Sequence, residues 1–374
     1  MKRAARLSLA ALLVAVLAAC SSSPSKPRPA ELPPAASLIG TQQVWTAQVG
    51  AVPATVSPRA VRDRLFVVGA AGNAVLALDT ESGREVWRAA LSSPVTAGVG
   101  SDGDTVAVVT QENELVAIAA GEVRWRQRLA ASTYTAPLVA GRRVFVLTAD
   151  RTVQAFDAET GRRLWSQSRS GEPLVLSQPG VLLAVGDTLV VGQAGRLAGL
   201  NPLNGGARWE TPIATARGTN EVERLVDLVG PASRVGNSVC VRAYASAVGC
   251  VDAQRGNTVW TQSALGAVGL GGDERLVFGA ESDGRLVAWQ RASGQQAWSV
   301  DRLKHRELGA PTALGRVVAI GDATGLVHLV SREDGAEMAR LVTDGSPVLS
   351  APLLAGSTLV VQTRKGGVYA WRPQ

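Results

Sequence analysis

The chain has 374 residues, enough for two ordinary domains or one closed β architecture, so length alone does not choose between them. Forty glycines, 46% hydrophobic residues and only 18% charged ones describe a body of buried strands and turns, which excludes global disorder. The formal charge is +7, but no run of Lys and Arg interleaved with aromatics accompanies it, so nucleic acid is excluded as a partner.

The chain opens with Lys2, Arg3 and Arg6, followed by the apolar run Leu7 to Leu17, which is too short to span a bilayer comfortably. With the small-residue site Leu17-Ala18-Ala19-Cys20, residues 1–19 are predicted to be a secretory signal whose removal lowers the formal charge from +7 to +4. "LAAC" resembles the bacterial lipobox, in which cleavage precedes the cysteine. That resemblance implies acylation of Cys20 and a soluble body held to a membrane by acyl chains. Ser21, standing where the lipoprotein rule would need Asp for retention, implies the outer membrane, with the body facing the periplasm. Residues 20–39, rich in Ser and Pro, are expected to be a tether with too little apolar content to fold, and 40–374 the folded body.

"TQQVWTAQVG" (41–50) carries Trp45 with no hairpin before it. Then comes "LDTESGREVW" (78–87), which recurs as "FDAETGRRLW" (156–165), "LNPLNGGARW" (200–209), "VDAQRGNTVW" (251–260) and "WQRASGQQAW" (289–298); "IAAGEVRW" (118–125) is two residues shorter. A period near 40 residues marks a repeat architecture. Each unit adds two short β-branched runs, such as "RLFVV" (64–68) and "AVLAL" (74–78), and a further run between units, such as "TAPLV" (135–139). Four short strands per unit describe a β-propeller blade. Both parities of the second run are apolar, as a sheet with a neighbour on each face requires: Val75 and Ala77 on one side, Leu76 and Leu78 on the other. The Ala77 position stays small as Ala117, Ala155, Gly199, Cys250, Ala288 and Ala370, with Leu329 the exception; small side chains there would let adjacent sheets approach.

Within the turn, Asp79 can bond backbone two residues on, Gly83 can take positive φ, and Trp87 can bury its ring between blades with the indole N–H on a carbonyl. A ligand-binding role for the acid is weakened because its place is taken by Asn201, Gln290 and Ser331 in other units. Eight hairpins can be counted, but only seven are followed by a turn and a tryptophan segment, the last with Ala339 in the tryptophan place. Val44 and Trp45 are therefore predicted to complete the blade of the 358–371 hairpin, so that the chain's two ends close an all-β, eight-bladed propeller of four-stranded antiparallel blades.

Chemistry-bearing residues are few. His305 and His328 are the only histidines, and His328, in "GLVHLV", is expected to be a packed imidazole. No metal spacing, nucleophile elbow or phosphate loop occurs, so no catalytic, cofactor-binding or metal-ligating residue is assigned. Cys240 and Cys250 lie on the two strands of one hairpin. Facing each other, they would form a disulfide contributing on the order of 2–3 kcal/mol. A one-residue shift of register would instead leave two buried thiols on opposite faces.

The repeat pattern resembles that of quinoprotein dehydrogenases, which are eight-bladed but carry a vicinal cysteine pair that this chain lacks. Lipobox, Pro-rich tether and one compact set of eight such blades together resemble the BamB family of the outer-membrane β-barrel assembly (BAM) machinery. That resemblance implies a non-catalytic scaffold without a cofactor that binds BamA and assists folding and insertion of β-barrel proteins. Two interruptions of the repeat, "SGEPLVLSQPGVLL" (170–183) and "TNEVERLVDLVGPASRVG" (219–236), map to loops. By resemblance, their residues Leu174, Leu176, Ser177, Arg224 and Asp227 meet BamA. Ser177 stands where the family commonly has arginine and Val229 where a second aspartate would follow. An exposed strand edge or groove is a further expected site, for nascent outer-membrane proteins by strand addition. The alternative function is a periplasmic quinoprotein-like (PQQ) dehydrogenase or ligand-binding propeller.

Overall fold

A computed structural model describes residues 27–35, 37–53, 55–169, 174–215 and 225–374, which gather into eight four-stranded antiparallel sheets. Cys20, Ser21 and Arg224 lie outside the described residues. Seven blades use consecutive strands, within 59–90, 100–128, 138–167, 182–212, 228–263, 270–300 and 312–342. The eighth takes Leu353–Ala355, Thr358–Gln362 and Gly367–Pro373 from one end of the chain and Thr41–Gln48 from the other. Trp45 pairs with Ala370 and Thr46 with Tyr369, so the closure predicted from the unpaired first tryptophan is the one observed.

The core is divided as the two-sided apolar pattern requires. Eight apolar clusters each lie between two consecutive blades. Val75 and Ala77 belong to the cluster shared with the second blade, Leu76 and Leu78 to the one shared with the eighth. Each blade thus stands in apolar contact on both faces, and hydrophobic burial is distributed around the ring.

The tryptophan turn joins blade to blade. Asp79 Oδ1 accepts the Ser82 N–H at 2.9 Å and Asp157 Oδ1 that of Thr160 at 2.8 Å, opening the turn. Gly161 follows at φ +72°, and the ring of the previous blade's Trp125 lies directly on it: a Cβ there would stand 2.6 Å from Cδ2. Six indole N–H groups, from Trp45, Trp125, Trp165, Trp209, Trp260 and Trp298, donate to the next blade's carbonyls at Thr80, Ala158, Pro202, Ala253, Arg291 and Arg332. The glycine therefore serves both the turn and the ring that covers it.

The reason for the recurring small residue differs from the expected one. Ala77 pairs across its own sheet with Trp87, as Ala117 does with Trp125, Ala155 with Trp165, Gly199 with Trp209, Cys250 with Trp260, Ala288 with Trp298 and Ala370 with Trp45. A side chain added at Gly199 would run into the Trp209 ring. The small residue makes room for its cross-strand tryptophan, and the exception follows: Leu329 pairs with Ala339, so the bulk has changed strands.

Two faces result. One carries each blade's first turn and the third turns of the seven continuous blades; the other carries the second turns and the connections to the next blade. The outer strands are largely exposed, as in Asn257–Ser263, but in Glu337–Val342 of the seventh blade Glu337, Ala339 and Leu341 are buried.

Candidate partner-binding site

The two interruptions of the repeat meet on the face of second turns and connections. Leu176, in the connection from the third to the fourth blade, donates its N–H to Asp227 Oδ2 at 2.9 Å, bridging 51 residues of sequence. Asp227, in the connection from the fourth to the fifth, also accepts the Tyr244 N–H at its backbone carbonyl (2.9 Å). Leu174 and Ser177 are exposed, Leu176 and Asp227 half-buried. Three of the residues picked out by resemblance, Leu174, Leu176 and Asp227, are thus brought together, with Ser177 beside them at the surface.

Sequence reasoning missed the residue at the centre. Arg151, in the second turn of the third blade, donates through Nη2 to the Leu174 carbonyl at 3.2 Å and stands 3.7 Å from Asp227 Oδ1. Its side chain is 8% exposed, so this ion pair is screened far less than a surface pair. The Arg151 carbonyl in turn accepts Gln193 Nε2 at 2.8 Å, tying in the second turn of the fourth blade. A signal was present: at φ +63°, Arg151 takes a left-handed turn position where the counterpart in the sixth blade is Gly284 and in the second Asn113. A long charged side chain accepting that backbone conformation invites a search for its partner.

The arrangement makes a small concavity lined by Tyr134, Thr135, Arg151, Leu176, Gln193 and Asp227, with Leu174 exposed at its edge. It combines apolar side chains with a pinned charge pair. Such a surface can recognise a polypeptide.

Other polar centres are internal. Asp322 accepts Arg306 Nε at 2.7 Å and pairs with His328 Nε2 at 3.0 Å, and both Asp322 and His328 are fully buried, so the imidazole is packed as its strand context predicts. His305 lies in the connection from the sixth blade at φ +60°, its N–H on the Asp283 carbonyl. Arg242 donates to Glu281 at 3.0 Å in a buried pair, with Gly266 and Gly279 leaving space for the guanidinium. Cys240 stands directly opposite Cys250, Cα atoms 4.0 Å apart, and the two are joined as a disulfide, which settles the open register in favour of facing sulfurs.

Among known proteins, the family model described as outer membrane protein assembly factor BamB matches residues 40–97, 71–300 and 293–372. The chain is similar to the outer membrane protein assembly factor BamB of Burkholderia pseudomallei, 38% identical over all of this chain and 99% of the relative. Similarity to the protein of that name from Bordetella pertussis is 34% over 93% of this chain and 91% of the relative. The crystal structure of BamB from Moraxella catarrhalis superposes with a TM-score of 0.81 at 24% identity, covering 89% of this chain and all of that one, and shows the fold to be shared.

Proposed function

The chain belongs to the BamB family of outer membrane protein assembly factors, and we propose that it acts as a non-catalytic scaffold of the β-barrel assembly machinery, held by acyl chains on Cys20 to the outer membrane and facing the periplasm. Its partner on this reading is BamA, and the contact is the convergence of Leu174, Leu176 and Asp227. The observation that carries the reading is the bond from Leu176 to Asp227 with Arg151 beneath it: two interruptions of the repeat, on neighbouring blades, form one pinned surface. Pinning matters because a loop already in its bound shape does not lose entropy on association.

A dehydrogenase reading gains no support from the residues: there is no adjacent cysteine pair in the sequence, and no group of three metal-binding side chains gathers among the described residues. Pyrroloquinoline quinone with calcium is expected to leave the melting temperature unchanged; a shift of several degrees would revive it.

The test of the scaffold reading is capture of BamA's periplasmic region by the full chain. Leu174→Arg with Leu176→Arg is expected to weaken it at least about tenfold, equivalent to about 1.4 kcal/mol, while the melting temperature stays near the parent's. Unchanged capture by this folded variant would remove the assigned surface. For nascent β-barrel proteins we assign the outer edge of Asn257–Ser263, seven residues without a charge to repel an added strand. A photo-crosslinker at Val259 should trap unfolded barrel protein; an empty lane would withdraw that site.

A further inference from the structure

The segment ahead of the closing strand lies against the ring. Ala30 donates its N–H to the Lys304 carbonyl at 2.9 Å, and its own carbonyl accepts Arg306 Nη1 at 3.0 Å. Arg306 is itself fixed from two sides, Nε on Asp322 at 2.7 Å and Nη2 on Thr324 Oγ1 at 2.7 Å. Leu32 packs on the cluster of Leu303 and Leu308, Arg340 Nη1 reaches the Pro33 carbonyl at 3.2 Å, and the Leu38 N–H the Met338 carbonyl at 2.8 Å. Because Pro33 meets Arg340 and Leu38 meets Met338, this strap runs antiparallel to Glu337–Val342, and Ile39 packs against the cluster that holds Ala339 and Leu341.

Its direction has a consequence for the molecule's attachment. Each fourth strand begins on the face of the third turn, so Thr41, where the closing strand starts, is remote from Asp227. A chain released from the ring at Thr41 would leave from that remote face. The strap instead carries it across the seventh blade to Lys304 and Arg306, in a connection beside the second turns, as the His305 N–H on the Asp283 carbonyl and the Ala323 N–H on the Arg306 carbonyl show. That is the face of Leu174, Leu176 and Asp227.

We infer that the strap determines which face of the ring is turned to the membrane: clamped at Ala30 by Arg306, it joins the acylated end to the face that carries the Leu176–Asp227 surface. The inference rests on the reading of Cys20 as the acylated residue. About ten residues separate Cys20 from Ala30 and span at most about 35 Å, against about 70 Å for the stretch from Cys20 to Thr41. The clamp both shortens the leash and moves its origin from one face to the other.

The full acylated chain in phosphatidylethanolamine/phosphatidylglycerol vesicles bearing a headgroup acceptor dye tests this. A donor dye is placed at Glu112→Cys, in a second turn, or at Glu159→Cys, in a third turn; both positions are exposed. Energy transfer is expected to be several-fold higher from position 112 than from 159, and the ratio to fall toward one in Arg306→Ala and in Leu32→Asp. Leu32→Asp leaves the buried Asp322 contacts intact, so it guards against a folding defect in the first variant. Equal transfer in the parent, or a ratio unmoved by both variants, overturns the inference. Intact mass separates the failures: absence of acyl mass removes the anchor reading and the inference with it, whereas acylated protein with equal transfer removes the strap's role alone.

Discussion

Between the second and third blades, Trp125 rests on Gly161 and donates to the Ala158 carbonyl, all from the third blade's turn. Between the seventh and eighth blades the corresponding place holds Ala339, and Leu329, Leu341, Leu359 and Trp371 fill the space, with Ile39 packed against them. The difference follows from how the ring closes. In the eighth blade the third strand ends at Pro373 and the fourth begins at Thr41, from opposite ends of the chain, so no turn joins them. An indole from the seventh blade would find no turn glycine to rest on, and Pro373, the counterpart of Pro202 whose carbonyl receives Trp165, lies in a strand pair with Thr41 and not in a turn. A repeated fitting works only where both of its halves are contiguous in sequence, and the closing junction has to be sealed by apolar volume and by the strap.

The largest effect that would test this contrast is loss of the closing strand. Deletion of residues 41–48 strips Trp45 and Val49's neighbours from the cluster shared by the eighth and first blades and bares the edge of Gly367–Pro373. We expect no cooperative melting transition and aggregation through the open edge. A deletion variant that melts like the parent would show that closure by the two ends is dispensable. Next, Trp125→Ala should cost about 3–5 kcal/mol as a buried aromatic truncation. Gly161→Ala should cost about 2–4 kcal/mol, combining a left-handed φ with a ring already in van der Waals contact. Urea midpoints decide both; a cost under about 1 kcal/mol for Gly161→Ala would mean that the ring yields and the junction is softer than described.

How much of this was legible in sequence depends on whether the determinant was periodic. The blade count, the tryptophan turn and the closure by Trp45 were readable because each is a departure from, or a repetition of, a 40-residue period. The reason for Ala77 and its counterparts was not, because cross-strand pairing with Trp87 depends on a register shift between Ala77 and Leu78 that periodicity does not reveal. Residues 20–39 read as an unfolding tether because their own apolar content is too small to form a core. Docking of Ala30, Leu32, Pro33, Leu38 and Ile39 needs only two apolar side chains and backbone groups whose partners are Arg306, Arg340 and the Lys304 and Met338 carbonyls. Arg151 escaped notice since its partners Leu174 and Asp227 lie 23 and 76 residues downstream, in loops the repeat leaves free.

The two kinds of junction should also part company in acid. Indole-to-carbonyl bonds contain no titrating group, whereas the strap's clamp depends on the Asp322 carboxylate. Burial would raise the Asp322 carboxyl, but hydrogen bonds from His328, the Leu326 N–H and Arg306 outweigh it and hold the group well below the usual carboxylate range. A carboxyl lowered in the folded state stabilises fully above its unfolded value, about pH 4, and the contribution is lost as pH falls from there toward the folded value. Asp322→Asn is therefore expected to cost about 2 kcal/mol at neutral pH, and the gap between variant and parent to narrow steadily below about pH 4. Urea midpoints read at intervals from pH 7 to pH 3 check this, and a gap constant across that range would show that the carboxylate's charge contributes nothing.

The smallest net effect is expected where the two junction types are exchanged, and it isolates volume from bonding. Leu329→Ala alone should cost about 2–5 kcal/mol through the cavity it opens, and Ala339→Trp alone about 1–3 kcal/mol through overpacking against Leu329. Since Leu329 and Ala339 are cross-strand partners, the double variant restores the small-residue and tryptophan pairing of the other blades. Its cost should fall to about 1 kcal/mol, so that a double-mutant cycle gives a coupling of at least about 2 kcal/mol. It should not exceed the parent's stability, because the new indole N–H meets no turn carbonyl and loses its hydrogen bond to water. Additive costs would dissolve the volume exchange; a double variant more stable than the parent would mean that the strap near Ile39 and Gly40 offers the indole a landing after all, and that the fitting does not require both of its halves to be contiguous in sequence.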